Sequence, residues 1–159
     1  MRGMIVGLAL AAAVGCHARG PGSAAVPAAV GADTLRGTFV LEGSDPAPVA
    51  VLRTADGRVE LDSVPGAMRG LVQLDLWVRG VAEAGGRFRV EDFLVRGAGG
   101  DPAWDGTVER AGAGVALRLP DGGLHALNGV PAELAGLVGA RVWVTETSAR
   151  TVASYGVIR

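Results

Sequence analysis

The chain has 159 residues, room for one ordinary domain or two very small ones. Apolar residues make up 49%, but 27 Ala, 26 Gly and 22 Val account for nearly half of the chain, and Ala and Gly bury little surface. Fifteen Arg, no Lys and 16 acids leave a formal charge of −1, which argues against nucleic-acid binding by bulk electrostatics, and one Cys and two His exclude a disulfide framework or a metal site of Cys and His alone.

The first element in chain order is an address. Arg2 supplies one positive charge, and Ile5 to Val14 carries no polar side chain. A basic start and a short apolar run form a secretory signal, too short to span a bilayer that needs about 20 residues. The run ends in Ala13-Val14-Gly15-Cys16, and Cys16 is the only cysteine. These residues resemble the bacterial lipobox. The resemblance implies a signal peptide over 1–15, removed so that Cys16 becomes the lipidated first residue. Two or three acyl chains anchor stably, each buried methylene adding about 0.8 kcal/mol. Ordinary secretion with cleavage after Ala18, or a buried helix over Ile5–Val14, are the alternatives.

Residues 16–33 follow, rich in Ala, Gly and Pro and without an apolar face. Pro21 and Pro27 interrupt any helix, so the segment reads as a flexible tether with an rms reach of about 20–25 Å. The alternative is an N-terminal strand docked on the folded part. His17, placed after the lipidated cysteine, points to the outer membrane, because retention at the inner membrane would favour Asp there.

Beyond the tether the hydropathy period is two. Val72, Leu74, Leu76 and Val78 alternate with Gln73, Asp75, Trp77 and Arg79, as a half-buried strand requires. The same pattern predicts strands near 35–42, 48–54, 58–62, 72–80 and 87–96, then 105–110, 114–119, 123–128, 139–146 and 151–158. Asp56-Gly57 marks a hairpin, because Gly supplies positive φ at little cost. Pro65 and Pro131 predict short helices that end near the following glycines.

The strand order repeats. Residues 64–78 (VPGAMRGLVQLDLWV) and 130–144 (VPAELAGLVGARVWV) share seven of fifteen positions, including Trp77 and Trp143. Gly37-Thr38 aligns with Gly106-Thr107, and Phe93 with Tyr155. Two copies of one unit are therefore expected, over 34–97 and 98–159. The β-β-β-short helix-β-β order resembles the OB-fold, a small Greek-key barrel found in tandem in bacterial envelope proteins of unassigned role. The resemblance covers about 125 residues and implies an all-β chain of two tandem OB-like barrels, about five strands each. From Asp33 onward 41 large apolar residues are available, a thin core for two isolated units, so the copies should pack together. One ten-stranded barrel or sandwich is the alternative.

Residues that carry chemistry are sparse. His125 aligns with Val59, a core-alternating position, and is expected as a packed imidazole with one hydrogen bond. Glu91 and Asp92 are adjacent and point to opposite faces of a strand. Residues 97–100 (Gly97-Ala98-Gly99-Gly100) read as a Gly-rich linker, beside which Asp101 and Asp105 flank Trp104 too sparsely for a calcium loop. The Ser residues lie in loops with no His nearby in sequence, and no phosphate-cradling motif occurs. No catalytic residue, metal ligand or cofactor is therefore assigned. Residues 34–97 carry 8 Arg against 9 acids and 98–159 carry 5 against 6, so neither half is basic and no nucleic-acid partner is expected. Trp77 and Trp143 fall on the polar face of their strands. They are either aromatic platforms for a ligand or cover where the copies meet.

The sequence thus reads as a non-enzymatic lipoprotein of the cell envelope, held on the membrane through Cys16, that binds or scaffolds an envelope protein or glycan. The alternative is a small-ligand or glycan sensor using the OB face of strands 2 and 3, where Arg53, Arg58 and Glu60 would orient an anionic or polar ligand. A secreted hydrolase is the weaker alternative.

Overall fold

The computed structural model describes residues 33–44 and 46–159. The expected signal segment, Cys16 and the tether up to residue 32 lie outside the described residues. The folded part is all-β. Its strands are β1 (Asp33–Glu42), β2 (Val49–Thr54), β3 (Gly57–Asp62), β4 (Leu74–Ala82), β5 (Arg87–Ala98), β6 (Asp101–Ala111), β7 (Gly114–Arg118), β8 (Leu124–Ala126), β9 (Arg141–Glu146) and β10 (Val152–Val157). A 3₁₀ turn (Gly66–Gly70) precedes β4, and α1 (Ala132–Ala135) precedes β9. All ten strands join one connected sheet.

In the first half β1 pairs with β2 and β4, β2 with β3, and β4 with β5, all antiparallel. Parallel pairs between Glu60–Asp62 and Arg87–Arg89 link β3 to β5. In the second half β6 pairs with β7 and β9, β7 with β8, and β9 with β10. There one parallel bridge, Asn128 to Thr151, stands where the first half has three pairs. Register matches too: Gly37 faces Leu76 just before Trp77, and Gly106 faces Val142 just before Trp143.

Local geometry explains that register. Gly37 and Gly106 sit where β1 and β6 press on the backbone of the next strand. A Cβ at Gly37 would overlap the Arg53 carbonyl, and one at Gly106 would lie 2.7 Å from the Arg118 carbonyl oxygen. Pro65 and Pro131 take up extended backbone and cap the 3₁₀ turn and α1 as the residue before the first turn. That places Met68 and Leu134, each fully buried, beneath the sheet.

Two expectations are corrected. Strand β4 begins at Leu74 rather than 72, because Gln73 adopts φ 69° and donates its N–H to the Phe39 carbonyl at 2.8 Å. The left-handed residue breaks the alternation, so Val72 is 38% exposed instead of packed. Gly139 does the same in the second half, with φ 87° and an N–H bond to Val108. The glycine-rich stretch 97–100 is no linker: Gly99 and Gly100 form a two-residue turn at positive φ, and Ala98 pairs with Asp101 across it. Strand β6 consequently starts at Asp101, with Trp104 and Asp105 in the sheet.

Two apolar clusters fill the interior. The larger contains Phe39, Leu52, Leu61, Met68, Leu76, Val78, Phe88, Phe93 and Val95, and receives Ala103 and Ile158 from the second half, with Trp143 packed against it. The smaller is built on Val108, Leu117, Leu127, Leu134, Val142 and Val144. Each fully buried Val, Leu or Phe contributes about 1.5–3 kcal/mol. By borrowing cover from residues 103–158, the first core depends on the second half.

Candidate functional site

The predicted binding residues fall in three places. Arg53 and Arg58 face each other across β2 and β3, a like-charge pair that Glu42 bridges, with 3.0 Å contacts to both. The side-chain hydrogen bonds from Arg58 and then Arg53 hold the Glu42 carboxyl below the usual carboxylate range. Both guanidinium groups are thus engaged, on an exposed stretch of strand. Glu60 lies beside them, opposite Val51 on one side and Arg87 on the other.

Trp77 stands elsewhere, on the outer face of β4 between β1 and β5. The Arg36 guanidinium lies 4.1 Å and that of Arg96 4.5 Å from the indole centroid. Neither arginine has a carboxylate partner among the described residues, so the indole is what offsets their charge. A shallow hollow of about 130 Å³ adjoins Trp77, lined by Thr34, Arg79, Asp92, Phe93 and Leu94. Trp143 occupies the matching position on β9 but lies over Gly156, where a Cβ would come 2.6 Å from its indole nitrogen, and covers the first core.

The junction between the halves is polar at its centre. Asp105, 2% exposed, accepts both Nε and Nη2 of Arg141 at 2.8 Å and the Val95 N–H at 2.8 Å. Arg141 also donates to the Phe93 carbonyl at 2.6 Å, and its guanidinium lies 4.7 Å from the Phe93 ring centroid. A forked pair whose carboxylate also accepts a backbone N–H is an arrangement in which a buried carboxylate is tolerated. It ties β6 and β9 to the backbone of β5.

Beside it, the Trp104 and His125 rings stack at 4.0 Å and 20°. Both meet one oxygen of Glu146, the indole N–H at 3.2 Å and His125 Nε2 at 3.0 Å. His125 is the packed imidazole with one hydrogen bond that its strand position implied. Next to this stack a cavity of about 320 Å³ opens between the halves, lined by Leu94, Arg96, Trp104, Asp105, Leu119, Pro120 and Asp121.

Leu94 lines both hollows, so Trp77, Leu94, Arg96 and Trp104 form one continuous strip. Sequence reasoning singled out Trp77, together with Trp143, but not Trp104, Arg96 or Leu94. The outward alternation of Leu94 and Arg96 on β5 was visible, but nothing local set them apart from other strand residues. Among the described residues no group of three or more His, Cys, Asp or Glu could hold a metal ion, and no helix is long and apolar enough to cross a membrane. No family model matches the chain, nor does any curated protein or solved structure.

Proposed function

We propose that this protein is a lipid-anchored, non-enzymatic binding module of the bacterial cell envelope, made of two copies of one OB-like Greek-key barrel on a leash. The ring of pairings β1-β2-β3-β5-β4-β1 and the similar pairing order among β6 to β10 support the architecture. The apolar run before Cys16 supports the anchor, which would hold the barrels near the outer membrane. The observation that carries the binding role is the Trp77–Arg96–Trp104 strip. It combines half-buried aromatic surface, cations lacking a carboxylate partner among the described residues and a cavity, the usual composition of a recognition surface.

Mass spectrometry of the mature N-terminus tests the anchor. A diacylated Cys16 is expected, and an unmodified or absent Cys16 would refute it. Cross-linking from the strip in intact cells tests the binding role, with capture of an envelope protein or glycan expected and lost in Trp77→Ala.

The second reading, a glycan or small-ligand sensor, gains from the same cavity. It shifts from the Arg53, Arg58 and Glu60 face, where Glu42 occupies the arginines, to the junction.

A further inference from the structure

Among the described residues, Arg96 is the one with a buried side-chain nitrogen left without a partner. Its Nε is shielded from solvent and has no hydrogen-bond partner. Its guanidinium stacks on Trp77 and lines the 320 Å³ cavity with no ion pair among the described residues. The other cation at the junction, Arg141, is consumed by Asp105 and the Phe93 carbonyl. A guanidinium fixed by stacking presents a planar fork, and the complementary group is a carboxylate, which accepts two parallel N–H bonds.

The rest of the lining narrows the class. Asp105 is neutralised by Arg141, so the charges left facing the cavity are Arg96 and Asp121, one of each sign. A phosphate dianion would meet one cation beside an anion, whereas a monoanion pairs its single charge with Arg96 and leaves Asp121 to neutral hydroxyl groups. Asp121 already accepts the Gly123 N–H through Oδ1, which leaves Oδ2 for a ligand hydroxyl. Leu94, Leu119, Pro120 and the half-buried Trp104 supply apolar surface of the kind that covers the C–H face of a sugar ring. The volume suits one monosaccharide.

We infer that the cavity between β5, β6 and the β7–β8 turn binds an acidic monosaccharide, its carboxylate on Arg96, a hydroxyl on Asp121 and its ring against Leu94, Pro120 and Trp104. This rests on the binding-module reading and gives that module a ligand class. It assigns Arg96 as the residue that selects for the acid over the neutral sugar.

Titration calorimetry of the full lipidated chain in detergent with sodium glucuronate tests it. Saturable binding is expected, with glucose at least about tenfold weaker and Arg96→Gln losing about tenfold or more. Arg96→Lys should lose part of the affinity, because an ammonium lacks the fork. Arg53→Gln, on the opposite stretch of strand, should bind as the parent does. Pro120→Trp, at the exposed rim, should block entry without touching the core, and so reads the site even if Arg96→Gln fails to fold.

Undiminished affinity in a folded Arg96→Gln or in Pro120→Trp would overturn the site. Equal affinity for glucose, or tighter Arg96-dependent binding of leucine or inorganic phosphate, would overturn the sugar acid while leaving a binding module. No saturable binding of glucuronate overturns the inference alone, since the anchored-module reading stands or falls on the mass of Cys16 and on cross-linking.

Discussion

Trp77 and Trp143 hold the same register position, yet one faces outward between two arginines and the other is a lid on the first core. The charges around them are exchanged. Opposite Trp77 stands Arg36, and opposite Trp143 stands Asp105; Thr38 faces Asp75, and Thr107 faces Arg141. In the first half these groups are solvated, with Thr38 donating to Asp75 and Arg36 stacked on the indole. In the second they form a buried forked pair that grips β5. Similar strand pairings therefore carry an open, solvated face in one half and a fastening in the other, where the matching face is covered. The difference lies in a few side chains and in what packs on them.

That contrast is sharpest in Arg141→Ala, which strands the Asp105 carboxylate and should destabilise by about 3–5 kcal/mol in urea unfolding. Arg36→Ala, on the open face, should cost only about 0.5–1 kcal/mol. Equal losses would mean that the two faces are not used differently. Next come the glycines under the strand crossings. Gly37→Ala and Gly106→Ala should each cost about 1–3 kcal/mol, the first more, because its Cβ meets the Arg53 carbonyl more closely. A reversed order would show that the first half yields more readily than its packing suggests.

The left-handed pair gives a smaller effect of opposite sign. Gln73→Gly relieves strain of about 1 kcal/mol and returns about half of it through a freer unfolded chain, for a net gain of about 0.5 kcal/mol. Gly139→Gln should lose about 1 kcal/mol. A loss in Gln73→Gly would show that its side chain does more than tolerate the turn.

The smallest effect is electrostatic. Because Glu42 titrates below its ordinary range when folded, its stabilisation is present above the unfolded value and disappears as pH falls through the folded one. Glu42→Gln should lower the melting temperature slightly at neutral pH and leave it unchanged at the acid end, so that the acid limb flattens. An unchanged acid limb would show that the Arg53–Glu42–Arg58 bridge is loose in solution.

Much of the fold was legible. Period-two alternation placed all ten strands, and the prolines placed the turn and helix before β4 and β9, because both signals are local. The start of β4 was misplaced because Gln73 gives no sign of positive φ, whereas its counterpart is a glycine. The 97–100 stretch read as a linker because glycine runs look alike whether they turn tightly or wander. In the candidate site, His125 was legible from its strand position. Arg96 was not, since its lack of a partner depends on which residues approach from β4 and β6.

Sequence by itself determined the strand alternation, the doubling of Val-Pro…Gly-Leu-Val…Trp-Val and the apolar run before Cys16, because each is written in neighbouring residues or in a fixed offset. Only the tertiary structure decided which copy of a shared position is exposed and which is buried. Arg36 is exposed where Asp105, at the matching position, is buried, because burial depends on what the other half brings to that face.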